Sequence, residues 1–213
     1  MKVANEPKRF MLTITDAIKL EILGLLGSTP VTLASGSPRR REILALAGIG
    51  ARVVVPSVDE TAPLNCEPAQ FALDLAHLKL SSVAGEAGIT IAADTIVVLD
   101  NQILGKPLNK ADAARILRLL SGRCHYVITA LALRDELTGR IVVGYEQSYV
   151  TFQQLASDDI ESYIDSGEPM DKAGAYGIQG MGELLVERLD GSLHNVIGFP
   201  IDLFLRLIRE LRS

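Results

Sequence analysis

The sequence predicts a layered α/β fold, and three observations carry the prediction. Short apolar runs rich in β-branched residues alternate with segments of helical period. Turn-forming residues (Gly, Pro, Ser, Asp and Asn) separate them. The chain of 213 residues is long enough to bury a large core without disulfides or a structural metal.

The elements follow in order. Ile18, Ile22, Leu25 and Leu26 fall at helical spacing after a cap at Thr15. They predict an amphipathic helix within an N-terminal extension, residues 1–30, that packs on the main unit of residues 31–213 or on a partner. Val31 to Ala34 reads as a strand, broken by Ser35, Gly36, Ser37 and Pro38, with a helix then running to a stop at Gly48. A strand at Val53 to Val55 precedes a helix from about Pro68 to Val83. Ile91 to Leu99 is a buried strand that turns at Asp100 and Asn101 into Ile103 and Leu104. Asn109 caps a helix ending at Ser121 and Gly122, with Asp112 three residues on as in a capping box. Cys124 to Leu133 and Ile141 to Phe152 form a hairpin around Thr138 and Gly139. Ser157 caps a helix ending near Gly167, a glycine-rich loop runs through Gly182, and a strand covers Leu184 to Leu189. The last helix opens with Pro200 in its first turn.

Composition narrows the function classes. A hydrophobic share of 48% and a charged share of 22% fit an ordinary globular protein. The net charge is −5, and the longest run of like charge is Arg39 to Arg41, so no broad basic face for nucleic acid is expected. A local basic pocket for a small anion remains open. Cys66 and Cys124 have neither a CxxC spacing nor a His/Cys cluster, which argues against a disulfide framework or a zinc site and for a reducing cytosol. No apolar run reaches the roughly 18 residues of a membrane span. Glu6, Asp16, Lys19 and Glu21 break up any signal or transit peptide, so a cytoplasmic location is expected.

Five features carry chemistry. Ser37 can cap a helix that starts at Pro38, placing Arg39 and Arg40 in its first turn, where acids are usually preferred. A phosphate would reconcile two guanidinium forks with the free N–H groups there; two solvated arginines are the plain alternative. Asp94, beside Thr95 in the middle of a buried strand, needs a partner or a metal, or it caps a neighbouring strand end. Asp59-Glu60-Thr61 is either a surface turn or a second carboxylate on the same rim. Two carboxylates beside a phosphate cradle would suit Mg²⁺ or Mn²⁺. Lys79 sits among apolar helix residues and Lys106 follows a hairpin; either could be simply solvated. His125 at a strand start reads as structural. Asp171-Lys172-Ala173-Gly174-Ala175-Tyr176-Gly177-Ile178-Gln179-Gly180 is a mobile loop or a close approach to a flat ligand, which Tyr176 could stack and Gln179 could hydrogen-bond.

Taken together, the ordered set Leu33-Ala34-Ser35-Gly36-Ser37-Pro38-Arg39-Arg40, Asp59-Glu60-Thr61, Ala93-Asp94-Thr95, Gly105-Lys106-Pro107, Ser121-Gly122 with His125, and Ala175-Tyr176-Gly177-Ile178-Gln179-Gly180 resembles the Maf family of nucleotide pyrophosphatases from about Val31 onward. The resemblance implies a Maf-type α/β fold related to inosine triphosphate pyrophosphatases, with an elongated mixed sheet flanked by helices and a cleft between two lobes. It implies hydrolysis of a nucleoside triphosphate to the monophosphate and pyrophosphate with a divalent metal (Mg, Mn or Co). By position, Asp94 resembles the proton acceptor and Glu60 a metal or water partner, both being candidate metal ligands. Ser37, Arg39, Arg40, Lys79 and Lys106 correspond to the polar cluster around the triphosphate. Arg39, Thr95 and Gln179 occupy positions tied to base choice. The Tyr-Gly-Ile-Gln-Gly form resembles the subgroup acting on dTTP and UTP, where the subgroup acting on 7-methyl-GTP has an acidic residue in place of the glutamine. A neutral amide can both donate to and accept from a pyrimidine imide edge.

The expected partner is therefore a small nucleotide, with neither nucleic acid nor membrane involved and a homodimer allowed. Two rivals stand beside this reading: a broad house-cleaning pyrophosphatase, and a nucleotide-sensing regulator of cell division that binds without turnover. A sensor has no need of two carboxylates.

Overall fold

The computed structural model describes residues 10–61, 66–85 and 87–213. The chain alternates as expected. Helix α1 (Asp16–Leu26) leads to strand β1 (Val31–Ala34), helix α2 (Pro38–Leu46), strand β2 (Ala51–Val54) and helix α3 (Pro68–Ser81). Strands β3 (Ile89–Leu99) and β4 (Gln102–Leu104) follow, then helix α4 (Lys110–Leu120) and the long strands β5 (Cys124–Asp135) and β6 (Ile141–Phe152). Helix α5 (Ser157–Asp165) precedes three short 3-10 turns, strand β7 (Val186–Asp190), helix α6 (Leu193–Ile197) and helix α7 (Ile201–Arg212).

Among the described residues, seven strands form one mixed sheet in the order β2-β1-β3-β5-β6-β7, with β4 added to β3. Strand β1 runs parallel to both β2 and β3, while β3 to β7 pair antiparallel. The side-chain period of two divides the core between the two faces. On one face α3 lays Phe71, Ala72, Leu75, Ala76 and Leu80 over Ala92, Ile96, Val98 and Ala130. On the other, the remaining helices close over Ile91, Ala93, Val97, Leu131 and Leu133. Helix α7 shows the expected pattern most clearly, with Phe204, Leu207, Ile208 and Leu211 buried and its charges outward. The Thr15 hydroxyl caps α1, and Ile22 and Leu26 bury into the same core as α7; Arg209 ties the two helices by bonding Glu21 at 2.7 Å.

Several local expectations shift. Strand β2 begins two residues earlier than expected and ends at Val54. Ala156, not Ser157, is the N-cap of α5, and the Asp159 carboxylate takes the Ala156 N–H at 3.3 Å. A 3-10 turn over Gly180–Leu185 consumes Leu184 and Leu185, so β7 starts at Val186. Pro200 is the N-cap of α7. Asn109 caps α4 through the Asp112 N–H at 2.9 Å, while the Asp112 carboxylate reaches Leu108 rather than Asn109. Residues 1–9 of the extension, Glu6 included, lie outside the described residues.

Candidate active site

The site begins with a mismatch of strand lengths. Strand β3 has 11 residues, but β1 pairs only with Ile89 to Ala92, and β4 takes Val97 to Leu99 on the same edge. Residues 93–96 therefore face a gap beyond the carboxyl end of β1, the place where open α/β sheets bind ligands. Because alternate side chains point to opposite faces, Asp94 projects toward α3 and Thr95 toward α2.

On the α3 side, Lys79 shares a buried helix stripe with Ala72, Leu75 and Ala76. That phase delivers its ammonium to Asp94 Oδ1 at 2.6 Å, with both side chains buried. The same ammonium donates to Glu60 Oε1 at 2.6 Å, and Lys106, at the end of the β4 hairpin, reaches Glu60 Oε2 at 3.0 Å. Partial burial pushes the Glu60 carboxyl up, but the hydrogen bonds and charges of Lys79 and then Lys106 outweigh it and hold it down to about 2. A carboxylate held so low stays ionised and makes a poor proton acceptor.

On the α2 side, Pro38 opens the helix and Ser37 is its N-cap, although the Ser37 side chain makes no capping bond. The Ser35 hydroxyl instead accepts from the Ser37 N–H at 3.3 Å and from Arg40 Nη1 at 2.8 Å. Arg40 also donates from Nε to the Gly198 carbonyl at 2.9 Å and from Nη2 to the Thr95 hydroxyl at 3.0 Å. Burial lowers the Arg40 guanidinium, and the nearby Asp94 charge works against that fall. Thr95 in turn meets the Thr129 hydroxyl at 3.0 Å, and Thr129 is held by Asn195 through its backbone N–H and its hydroxyl. The two arginines thus divide: Arg40 faces into protein, whereas half-buried Arg39 lies on the cavity rim, 4.0 Å from Asp171.

All nine residues picked out from the sequence, Ser37, Arg39, Arg40, Glu60, Lys79, Asp94, Thr95, Lys106 and Gln179, line one cavity of about 580 Å³. Its other wall is the segment from Glu168 to Gly180. Tyr176 lines the cavity as well, with little of its ring exposed. Its ring is buried edge-on against His125 and Phe152, and its hydroxyl meets His125 Nε2 at 2.7 Å. Sequence reasoning missed the apolar floor of Val97, Val127, Val196 and Ile197, and the rim carboxylate Glu168. Only the β-period of Val97 and Val127 carried any signal for these.

The donor set fits a divalent cation that takes most of its ligands from substrate. Among the described residues no cluster of three His, Cys, Asp or Glu side chains could hold a metal alone. Asp94 and Glu60 offer hard carboxylate oxygens that already share one positive charge, that of Lys79. Mg²⁺-type ions bind through one or two carboxylates completed by phosphate oxygens and water.

Comparison with known proteins gives the family. The family model described as "Maf-like protein" matches residues 30–211. A Bacillus anthracis protein named "dTTP/UTP pyrophosphatase" is 44% identical over 185 residues, covering 86% of this chain and 94% of that protein. Proteins of the same name from Bacillus cereus (strain ATCC 10987 / NRS 248) and Bacillus cytotoxicus are 45% and 46% identical, covering 86% and 85% of this chain and 89% and 93% of their own lengths. With the family model spanning most of the chain and these relatives aligned along most of theirs, the chain belongs to the Maf family.

Proposed function

We infer that the protein is a nucleoside triphosphate pyrophosphatase that hydrolyses dTTP and UTP to the monophosphate and pyrophosphate. The observation that carries this is the meeting of Asp94 and Glu60 with Arg39, Lys79 and Lys106 around one cavity at the open edge of β3. The names of the relatives support the choice of nucleotide.

In the reaction, a water oxygen bonds to the α-phosphorus while the bond from that phosphorus to the α–β bridging oxygen breaks. Asp94 accepts the proton of the attacking water, and Glu60 shares the work of orienting that water. Arg39, Lys79 and Lys106 stabilise the charge that grows on the departing pyrophosphate. Arg40 holds Ser35, Thr95 and the Gly198 turn in place around them. Asp94 and Glu60 would hold a divalent cation (Mg, Mn or Co), which when bound supplies Lewis acidity and neutralises phosphate charge. Gln179, whose side chain makes no hydrogen bond among the described residues, reads the pyrimidine edge, and Thr95 and Arg39 border the same space.

Residues 1–30 are an extension to the catalytic unit of residues 31–213. Among the described residues no helix is long and apolar enough to cross a membrane. The expected setting is cytoplasmic, with a nucleotide as partner, neither nucleic acid nor membrane, and a homodimer allowed.

A panel of nucleoside triphosphates with pyrophosphate detection tests the reading, with metal omitted as control. Release from dTTP and UTP well above the other nucleotides, and only with metal, is expected. Tight binding without pyrophosphate release in Mg²⁺, Mn²⁺ or Co²⁺ would make the protein a sensor instead.

A further inference from the structure

Behind the cavity wall lies a buried group that the reaction does not use. His125 is almost fully buried, and burial lowers its imidazole to about 4, so it is neutral at ordinary pH. Among the described residues Nδ1 makes no hydrogen bond, while Nε2 is hydrogen-bonded to the Tyr176 hydroxyl at 2.7 Å. Phe152 and the Tyr176 ring pack edge-on against the imidazole, fixing its plane.

The segment that Tyr176 anchors is unusual. Ala175 has a φ of 56°, in the left-handed region that a side chain disfavours. Just before it, Gly174 (φ 68°) is pressed against β3, where an added Cβ would meet Val97 at 2.8 Å. Such a backbone persists only where its surroundings over-determine it. A second buried phenol supplies part of that constraint, because the Tyr163 hydroxyl accepts from the Gly177 N–H at 3.1 Å. Glu168 accepts from the Met181 N–H at 3.2 Å. The stretch carrying Ile178 and Gln179 is therefore held at both ends.

We propose that His125 is a positioning residue for base selection: through the Tyr176 hydroxyl it sets the loop that presents Gln179 to the nucleobase. This rests on the reading of Gln179 given above. His125 touches neither substrate nor reacting atoms, so its loss acts on recognition and leaves the hydrolytic machinery intact.

The test is steady-state kinetics on dTTP and dCTP for the wild type, Tyr176→Phe, His125→Phe and His125→Gln. Tyr176→Phe removes one hydroxyl and keeps the ring packing. It is expected to lower the dTTP-to-dCTP ratio of kcat/KM about three- to tenfold, the worth of one buried hydrogen bond, mainly through KM for dTTP. The kcat at saturation should stay within about twofold. His125→Phe should match it, the variant carrying both His125→Phe and Tyr176→Phe should be no worse than either single one, and His125→Gln, whose amide can still hydrogen-bond the phenol, should recover part of the ratio. A wild type that favours dTTP while Tyr176→Phe keeps the full ratio overturns the proposal alone. A wild type that does not distinguish the two nucleotides overturns the Gln179 reading and the proposal with it. Should His125→Phe fail to fold, the Tyr176→Phe result decides by itself.

Discussion

Lys79 stands between two carboxylates, and the two halves of that contact are not equivalent. Asp94 is buried with Lys79 as its ionic partner, while Glu60 is shared with Lys106 and partly exposed. Asp94→Asn leaves Lys79 with Glu60, so the fold should survive while pyrophosphate release falls about a thousandfold, within the range of a lost general base. Near-normal turnover would reject Asp94 as the base. Lys79→Met instead strands a buried carboxylate, and urea unfolding should show a loss of about 3 kcal/mol, clearly larger than for Asp94→Asn. At the cavity rim, Gln179→Glu should weaken dTTP and UTP use relative to other nucleotides; unchanged relative rates would remove the amide from base choice. Residue types at this scale were legible in the sequence because a mid-strand Asp94 and first-turn arginines break local rules. The separate duties of Arg39 and Arg40 were not. Adjacent and identical, they differ only through helix phase and a carbonyl at Gly198 that lies far along the chain.

The elements explain why so few side chains suffice. Strand β3 outruns β1, and the opening this leaves is flanked by the start of α2, the core-facing stripe of α3 and the β4 hairpin. Asn195, from short helix α6, holds the far side. Its amide donates to the Val127 carbonyl and the Ser148 hydroxyl, and its oxygen accepts from the Thr129 N–H. Asn195→Ala should therefore lower stability by about 2–3 kcal/mol in denaturant titration, because buried groups lose their partners. The long strands and α7 were readable because β-branched runs and helical period are strong signals. Helix α6 and the 3-10 turns were not, being too short to show a period. Strand β7 was misplaced for the same reason, since the apolar Leu184 and Leu185 resemble a strand start but belong to a 3-10 turn.

Across the whole molecule, the extension and two histidines tie stability to groups that the reaction does not use. Helix α1 buries Ile22 and Leu26 against α7, so removal of residues 1–26 should cost about 3 kcal/mol or more. His125 is lowered from 6.5 to about 4 in the folded state, and burial lowers His194 in the same direction. The unfolded chain then takes up protons first as pH falls. Stability should decline as pH falls from about 7 toward 4, with the contribution of His125 approaching a slope of about 1.4 kcal/mol per pH unit near pH 5. His125→Phe should flatten that slope; an unaltered slope would deny that the imidazole is buried neutral. None of these effects identifies the bond that is cut. Hydrolysis of dTTP in H₂¹⁸O, followed by mass spectrometry of the products, does so directly. Attack on the α-phosphorus places the label in dTMP and releases unlabelled pyrophosphate, whereas label in pyrophosphate or release of orthophosphate would contradict the arrangement of Asp94 and the cationic side chains described above.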